Sequence, residues 1–132
     1  MIKAQSIKAS LLHATLRFNT QTTNAEIAKF EAQLLLQSIL KVNRAWLIAH
    51  ESDVLSDELN GFFQTLISRR LNGEPIAYIL GTRAFYGLDL IVTPDTLIPR
   101  PDTETLVETA LAKITKDNIS VLDLVINLLL VI

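Results

Sequence analysis

The stretch GEPIAYILGTRAFYGLDLIVTPDTLIPRPDTETLVE, residues Gly73 to Glu108, decides how this chain is organised. It contains three of the four glycines, all four prolines and both tyrosines of the 132 residues. Glycine and proline interrupt regular secondary structure more strongly than other residues, and the sequence ahead of the stretch has apolar residues at helical spacing. We therefore interpret the stretch as the joint between a helical domain and a second domain.

Composition and charge narrow the classes of protein to which the chain can belong. Hydrophobic residues make up 49% of it and charged residues 20%, which is typical of a folded chain with one sizeable core. The formal net charge of -2 gives no overall field that would attract nucleic acid. Because cysteine is absent, disulfides and thiolate metal sites are excluded. We expect no metal site and no direct nucleic-acid partner.

Neither end of the sequence has the pattern of an export or membrane signal. The opening residues, MIKAQSIKAS, interrupt their apolar residues with lysine and glutamine and lack the apolar core of a secretory signal. The apolar run 119–132 carries an acid and is shorter than the about 20 residues that span a bilayer. We expect a cytoplasmic protein without a membrane anchor. We also expect self-association through this carboxyl-terminal tail, because an apolar strand with open edges tends to pair with another copy.

The amino-terminal part of the chain is predicted to form five helices. Apolar residues recur every three or four positions from Ile2 to Phe18, which is the spacing of one helical face. Thr23 and Glu26 stand in the S/T-x-x-E capping relation, which predicts a second helix from there to Lys41. The predicted core face of this second helix is formed by Ile27, Phe30, Leu34 and Ile39, and it is widened by Leu35, Leu36 and Leu40.

Three further helices are predicted next. Asn43 is expected to cap RAWLIAH, whose Trp46 we interpret as a core residue because its ring buries a large area. Ser56 caps the fourth helix and Pro75 suits the first turn of the fifth. The predicted buried side of the fourth helix consists of Leu59, Phe62, Phe63, Leu66 and Ile67. The histidines, His13 and His50, lack an acidic or cysteine partner at ligand spacing and are expected at the surface.

Past Gly81 the pattern changes from helix to strand. Short segments of aromatic and branched residues on either side of Gly87 predict a β-hairpin. Pro99 and Pro101 hold Arg100 on extended backbone just where the next helix begins.

The last part of the chain is predicted to begin a second domain. A helix is expected from Pro101 as far as Lys116, and Val121 to Leu124 then has the pattern of a buried strand. The acidic residues that follow Pro101 are interpreted as first-turn carboxylates that suit the helix dipole. The side chains expected to point inward are Leu106, Val107, Ala110, Leu111 and Ile114.

The motifs GEPIAYILG and LIPRPDTE, together with the upstream segment EAQLLLQSILKVNRAWLIAH, resemble the bacterial peptide chain release factor N5-glutamine methyltransferases. The resemblance runs from about Ala25 to Leu124. It implies a helical domain over residues 1–81, a β-hairpin linker over 82–100 and the start of a Rossmann-like methyltransferase domain over 101–132. It also implies methyl transfer from S-adenosylmethionine to the glutamine of the Gly-Gly-Gln loop of release factors, which are the expected partners.

The sequence departs from the family pattern after VLDL at 121–124. There the family continues with a glycine-rich loop of the GTGSG type that approaches the cofactor, whereas this sequence continues VINLLLVI. The Asn-Pro-Pro-Tyr motif that holds the glutamine amide in the family is also absent. We therefore interpret the Rossmann-like domain as truncated. We expect no catalytic residue, no binding of S-adenosylmethionine and no methylation by this chain alone.

Five residues are candidates for substrate contacts in the complete enzyme. Because the resemblance places the linker beside the cofactor and glutamine pockets, Phe85 and Arg100 are expected near substrate or cofactor. The alternatives are packing against the helices for Phe85 and a plain surface position for Arg100. Arg69, Arg70 and Arg83 are candidates for release-factor contacts, although a charge role at a helix end also accounts for them.

Three hypotheses of function remain open at this point. The first is the amino-terminal part of a release factor glutamine methyltransferase. The second is a docking module that binds a release factor without chemistry. The third is a nonfunctional remnant produced by a shift of reading frame after Leu124.

Overall fold

The computed structural model of the chain describes residues 4–115 and 117–122. It divides into two compact units, Met1–Ile98 and Pro99–Ile132. The first unit is helical and ends with a two-stranded sheet, and the described residues of the second form one helix. The prediction of a mainly helical chain with a β-hairpin is confirmed. No helix among the described residues combines the length and the apolar character needed to cross a membrane.

Five helices make up most of the first unit, as the sequence predicts. Four of them begin at a side chain that accepts a hydrogen bond from a free backbone N–H of the first turn, which satisfies donors that a helix cannot satisfy itself. The fifth begins after Pro75 and has no side-chain cap. The helices are α1 (Ile7–Phe18), α2 (Ala25–Leu40), α3 (Arg44–Ala49), α4 (Asp57–Leu71) and α5 (Ile76–Leu80).

The start of α2 corrects one prediction. The helix is capped by Asn24, whose side chain accepts from the backbone N–H groups of Glu26 and Ile27 at 3.0 and 3.3 Å. Thr23 therefore lies outside the helix, and the predicted Thr23–Glu26 capping box does not form. The physical reason is that asparagine caps at least as well as threonine, and Asn24 stands one residue nearer to the helix.

The core lies between α1, α2 and α4 and confirms only part of the predicted face of α2, since Leu35 and Leu36 are fully buried. Ala28, Ala32 and Leu35 are fully buried, whereas Ile27 and Phe30 are 48% and 54% exposed. The buried residues are spaced four and three apart and form one stripe, and the alanines let a neighbouring helix approach closely. The largest fully buried apolar side chains of the unit are Phe63, Leu35, Leu36, Leu47 and Ile67.

Two aromatic positions were predicted incorrectly. Phe62 is 58% exposed while Phe63 is fully buried, because adjacent residues of a helix point about 100° apart. His50 is not a plain surface residue. Its ring stacks on that of Trp46, with centroids 3.9 Å apart, and its Nδ1 lies 2.9 Å from the Trp46 carbonyl oxygen. Trp46 itself is half-buried and packs against the core, as expected.

The hairpin consists of β1 (Thr82–Phe85) and β2 (Leu88–Ile91), paired antiparallel with Phe85 opposite Leu88. Its two turn residues, Tyr86 and Gly87, have φ of 48° and 74°. A two-residue turn with positive φ at both positions matches the twist of the strands. Glycine adopts a positive φ without steric cost, whereas tyrosine is strained there. The hairpin prediction is confirmed.

The segment after the hairpin folds back on α5. The Tyr78 hydroxyl donates to the Thr96 carbonyl oxygen at 2.7 Å, and the Val92 N–H donates to the Gly81 carbonyl oxygen at 3.0 Å. Thr96 also closes the predicted turn, since its N–H donates to the Thr93 carbonyl oxygen at 2.9 Å. These bonds fix the linker to the end of the helical unit.

The second unit contains α6 (Pro101–Ala112), which begins at the predicted proline but ends before Lys116. None of its residues is buried, so the predicted inward face is not covered among the described residues. Apolar spacing predicts which face of a helix can be buried, but burial itself requires other elements. Val121 and Leu122 of the predicted buried strand are irregular and exposed, because a strand forms only by pairing with a neighbour. Residues 123 and 124 lie outside the described residues, and the Rossmann-like fold stays a prediction.

Candidate functional site

Arg69 and Arg70, at the end of α4, both bind carboxylates within the helical unit. Arg70 donates from Nε and Nη2 to the Glu31 carboxylate of α2 at 2.9 and 3.1 Å. Arg69 donates from Nε and Nη2 to Glu74 at 2.8 and 2.5 Å. The hydrogen bonds from Arg69 lower the pKa of Glu74, and those to Glu74 raise the pKa of Arg69. A structural role accounts for both arginines, and their contact with a release factor stays a prediction.

Two other candidates lie on the hairpin. Arg83 and Phe85 are both on β1 and both half-buried. Alternate residues of a strand project to the same face of the sheet, so these two side chains share a face. The hairpin thus presents a cation and an aromatic ring together, which the sequence pattern alone did not indicate.

Arg100 belongs to the second unit and has the backbone geometry expected of it. Its φ of -106° and ψ of 150° are extended, and it occupies the position just before α6 without a side-chain capping bond. Its side chain is exposed. Asp102 and Glu104 follow in the first turn, where a carboxylate suits the helix dipole. A role of Arg100 in substrate binding stays a prediction.

A feature that the sequence did not predict lies between α1, α2 and α3. Two adjacent depressions, of about 370 and 300 Å³, share the lining residues Lys29, Gln33 and Arg44, and we call the pair the Gln33 groove. The apolar residues that line the larger depression are Leu11, Leu12, Leu47 and Ile48. The apolar residues of the smaller one are Ile27 and Phe30.

Gln33 is the most enclosed polar residue of this groove. It is only 8% exposed and lines both depressions. Within the described part of the chain its side chain makes no hydrogen bond. The atoms of its amide group are not sealed from solvent. The groove therefore holds an amide with both donor and acceptor capacity available.

The charges around the groove are distributed unevenly. At one end Lys8 pairs with Glu51 at 3.1 Å, and at the other Glu26 lies in the first turn of α2. Lys29 and Arg44 lie between these ends, since each lines both depressions, and both are exposed. Neither forms an ion pair with a described residue. The centre of the groove is therefore cationic.

One signal in the sequence would have found this site. Glu26, Lys29, Phe30 and Gln33 are spaced three and four residues apart, so they share one face of α2. This face combines two charged side chains and an amide with a phenylalanine, whereas an ordinary solvated helix face carries polar residues without a large aromatic ring. Because Phe30 also fits the predicted core face of α2, periodicity alone does not separate this face from a buried one.

The described residues, 4–115 and 117–122, contain no glycine-rich loop after a strand of the kind predicted to approach S-adenosylmethionine. Gly61 lies inside α4, Gly73 and Gly81 follow α4 and α5, and Gly87 forms the hairpin turn. The described residues also contain no cluster of three or more histidine, aspartate or glutamate side chains that could hold a metal ion.

Comparison with known proteins decides the family. The sequence profile described as the PrmC N-terminal domain matches residues 11–81, which is more than half of the chain. The chain belongs to the PrmC N-terminal domain family. The match ends at Gly81, the residue that terminates α5, so this PrmC N-terminal domain includes the whole Gln33 groove except its Lys8 end.

Curated relatives of this PrmC N-terminal domain protein are named release factor glutamine methyltransferase. The relative from Pseudomonas aeruginosa is 46% identical over 110 residues, 83% of this chain and 40% of its own length. Those from Aliivibrio fischeri and Coxiella burnetii are 51% and 45% identical and are covered over 33% and 39% of their lengths. The chain thus spans about 40% of these relatives or less. The resemblance to this methyltransferase family is confirmed.

Proposed function

We propose that this chain is the release-factor-recognition part of a release factor glutamine methyltransferase. The observation that supports this most directly is the PrmC N-terminal domain match over α1 to α5. Identity of 45–51% to methyltransferases whose names specify a release factor supports the same partner. In this proposal the helical unit holds the release factor in the cytoplasm while a catalytic domain acts on its glutamine.

The reaction we propose for the complete enzyme is methylation of the side-chain amide of the Gly-Gly-Gln glutamine, with S-adenosylmethionine as donor. An amide nitrogen is a weak nucleophile, so catalysis depends on aligning it with the methyl group and on hydrogen bonds to the amide. Phe85 and Arg100 would each lie near substrate or cofactor in the complete enzyme, and Arg83 would contact the release factor. The 132 residues alone would not transfer a methyl group.

A second candidate function is a docking module that binds a release factor without catalysis. The Gln33 groove favours it, because an open groove with apolar, amide and cationic elements can recognise a protein without any catalytic group. The two functions share the same binding step and differ only in chemistry.

Binding is tested by calorimetric titration of the folded chain with a bacterial peptide chain release factor. We expect saturable binding at micromolar concentrations, and equal binding when the glutamine of its Gly-Gly-Gln loop is replaced by alanine, because the helical unit would contact another part. Absence of binding heat in the titration and of any change in the NMR spectrum of the chain on adding the release factor would contradict the proposed recognition role. Turnover of radiolabelled S-adenosylmethionine above blank would contradict the proposal that the chain alone is inactive.

A further inference from the structure

We infer that the Gln33 groove is the docking site of an acidic amphipathic helix of the protein partner. This inference rests on the proposed function where it takes that partner to be the release factor. The groove itself defines the chemistry of the segment through three independent features of α1, α2 and α3.

The first feature is the enclosed amide of Gln33. It is more than nine-tenths buried yet makes no hydrogen bond to a described residue. When a partner covers the groove, this amide loses access to water and has to be paired, because a buried polar group without a hydrogen-bond partner weakens binding. A carboxylate or a serine or asparagine side chain can pair with it. The groove is therefore selective for a partner with a polar group at its centre.

The second feature is the pair of cations beside that amide. Lys29 and Arg44 line both depressions and have no ion pair within the described residues. Facing charges of opposite sign raise the association rate and exclude partners of the wrong sign. The centre of the groove therefore favours a carboxylate, while Glu26 and Glu51 lie towards its ends.

The third feature is exposed apolar area on both sides of these cations. Leu12 and Ile48 are each 60% exposed in the larger depression, and Phe30 is 54% exposed in the smaller one. A helix laid in a groove between helices anchors itself through apolar side chains three to four residues apart. The complementary segment thus has apolar residues one turn apart with aspartate or glutamate between them.

Three pairs of variants test this site, each with a matched control on the same helix. Gln33→Met removes the amide, and Gln37→Met makes the same change one turn further along α2. Lys29→Glu reverses a groove charge, and Lys41→Glu reverses a charge at the end of α2. Leu12→Ser removes an exposed apolar side chain of the groove, and Leu16→Ser removes one of similar exposure on α1 that does not line it.

Calorimetry with the release factor should separate groove variants from controls. We expect Gln33→Met and Leu12→Ser each to weaken binding about tenfold, which corresponds to about 1.4 kcal/mol, because each removes a hydrogen bond or an apolar contact at the centre of the interface. Lys29→Glu should weaken it at low salt and much less at high salt. The three controls should bind like the unchanged chain. Thermal unfolding of every variant confirms that it is folded.

A second arm does not depend on the release factor. A synthetic helical peptide of about 15 residues, with leucines one turn apart and glutamates between them, is titrated into the isotope-labelled chain, alongside a version with lysines in place of the glutamates. We expect the acidic peptide to shift the resonances of Gln33, Ile48 and Phe30, and the lysine peptide to leave them unchanged. Equal binding of both peptides, or no binding by the acidic one, would overturn the inference.

The outcomes of the two arms separate this inference from the proposed function. If the release factor binds and groove variants match their controls, the recognition role stands and the groove is not its docking site. If only the acidic peptide binds at the groove, the groove inference stands with another partner and release-factor recognition fails. If these resonances shift with protein concentration alone, the groove pairs two copies of the chain and the inference is wrong.

Discussion

Phe62 and Phe63 are neighbours on α4 with opposite surroundings. Phe63 is completely buried in the core, while Phe62 is 58% exposed. Sequence spacing identified the apolar side of α4 but predicted that both rings are buried. Two adjacent apolar residues are both compatible with one helical face, so the spacing does not show which of the two is enclosed. Only the positions of α1 and α2 against α4 decide which ring is enclosed.

Phe63→Ala is expected to lower the free energy of unfolding by about 3–5 kcal/mol, because it removes a buried ring and leaves a cavity. Phe62→Ala, the matched control, should lower it by less than about 1 kcal/mol. Urea denaturation followed by circular dichroism measures both. A loss at Phe62 as large as at Phe63 would mean that the exposed ring packs against something in solution.

At the scale of the element, several helix ends were predictable from a single capping or terminating residue. Ser56 and Asn43 cap α4 and α3 as expected, and Gly81, at a φ of 74°, terminates α5. The start of α2 was misplaced because two capping residues are adjacent there. Hydrogen-bond geometry distinguishes them, and sequence spacing does not.

Asn24→Ala should therefore destabilise the chain by about 1 kcal/mol, since the first turn of α2 loses the acceptor for two N–H groups. Thr23→Ala should change the free energy of unfolding by no more than about 0.5 kcal/mol. Paired urea titrations compare the two. If Thr23→Ala were the more costly substitution, the capping box predicted from sequence would be the one that forms in solution.

The Gln33 groove illustrates what element-level patterns cannot supply. Its α2 residues share a visible periodic face, but Leu12 and Ile48 come from α1 and α3 and join that face only after the helices pack. The arginine candidates also needed the fold to be interpreted. Arg69 and Arg70 were identified by charge alone, and their carboxylate partners, Glu74 and Glu31, became apparent only from the fold.

At the scale of the whole molecule, burial is concentrated in the first unit. Five residues of α2 are buried and none of α6. The Rossmann-like continuation and the self-association expected from the carboxyl-terminal tail stay predictions, because both depend on residues beyond the described ones. Sedimentation of the chain with and without residues 120–132 would measure the self-association.

Hydrogen exchange should reflect this uneven burial. We expect amides of α2 and α4 to exchange only through global unfolding, and amides of α6 to open at a free energy lower by about 2 kcal/mol or more, because few buried contacts oppose local opening. Exchange rates measured by NMR and corrected for intrinsic rates test this. Equal protection of α6 and α2 would show that α6 is covered in solution.

The stacked pair of Trp46 and His50 has a practical consequence. Trp46 is the only tryptophan of the chain, so all indole fluorescence of the protein originates on α3. The two residues that follow it, Leu47 and Ile48, line the Gln33 groove. The protein thus carries an intrinsic optical probe next to its candidate docking site, and unlabelled material suffices to record both its unfolding and the arrival of a partner in real time.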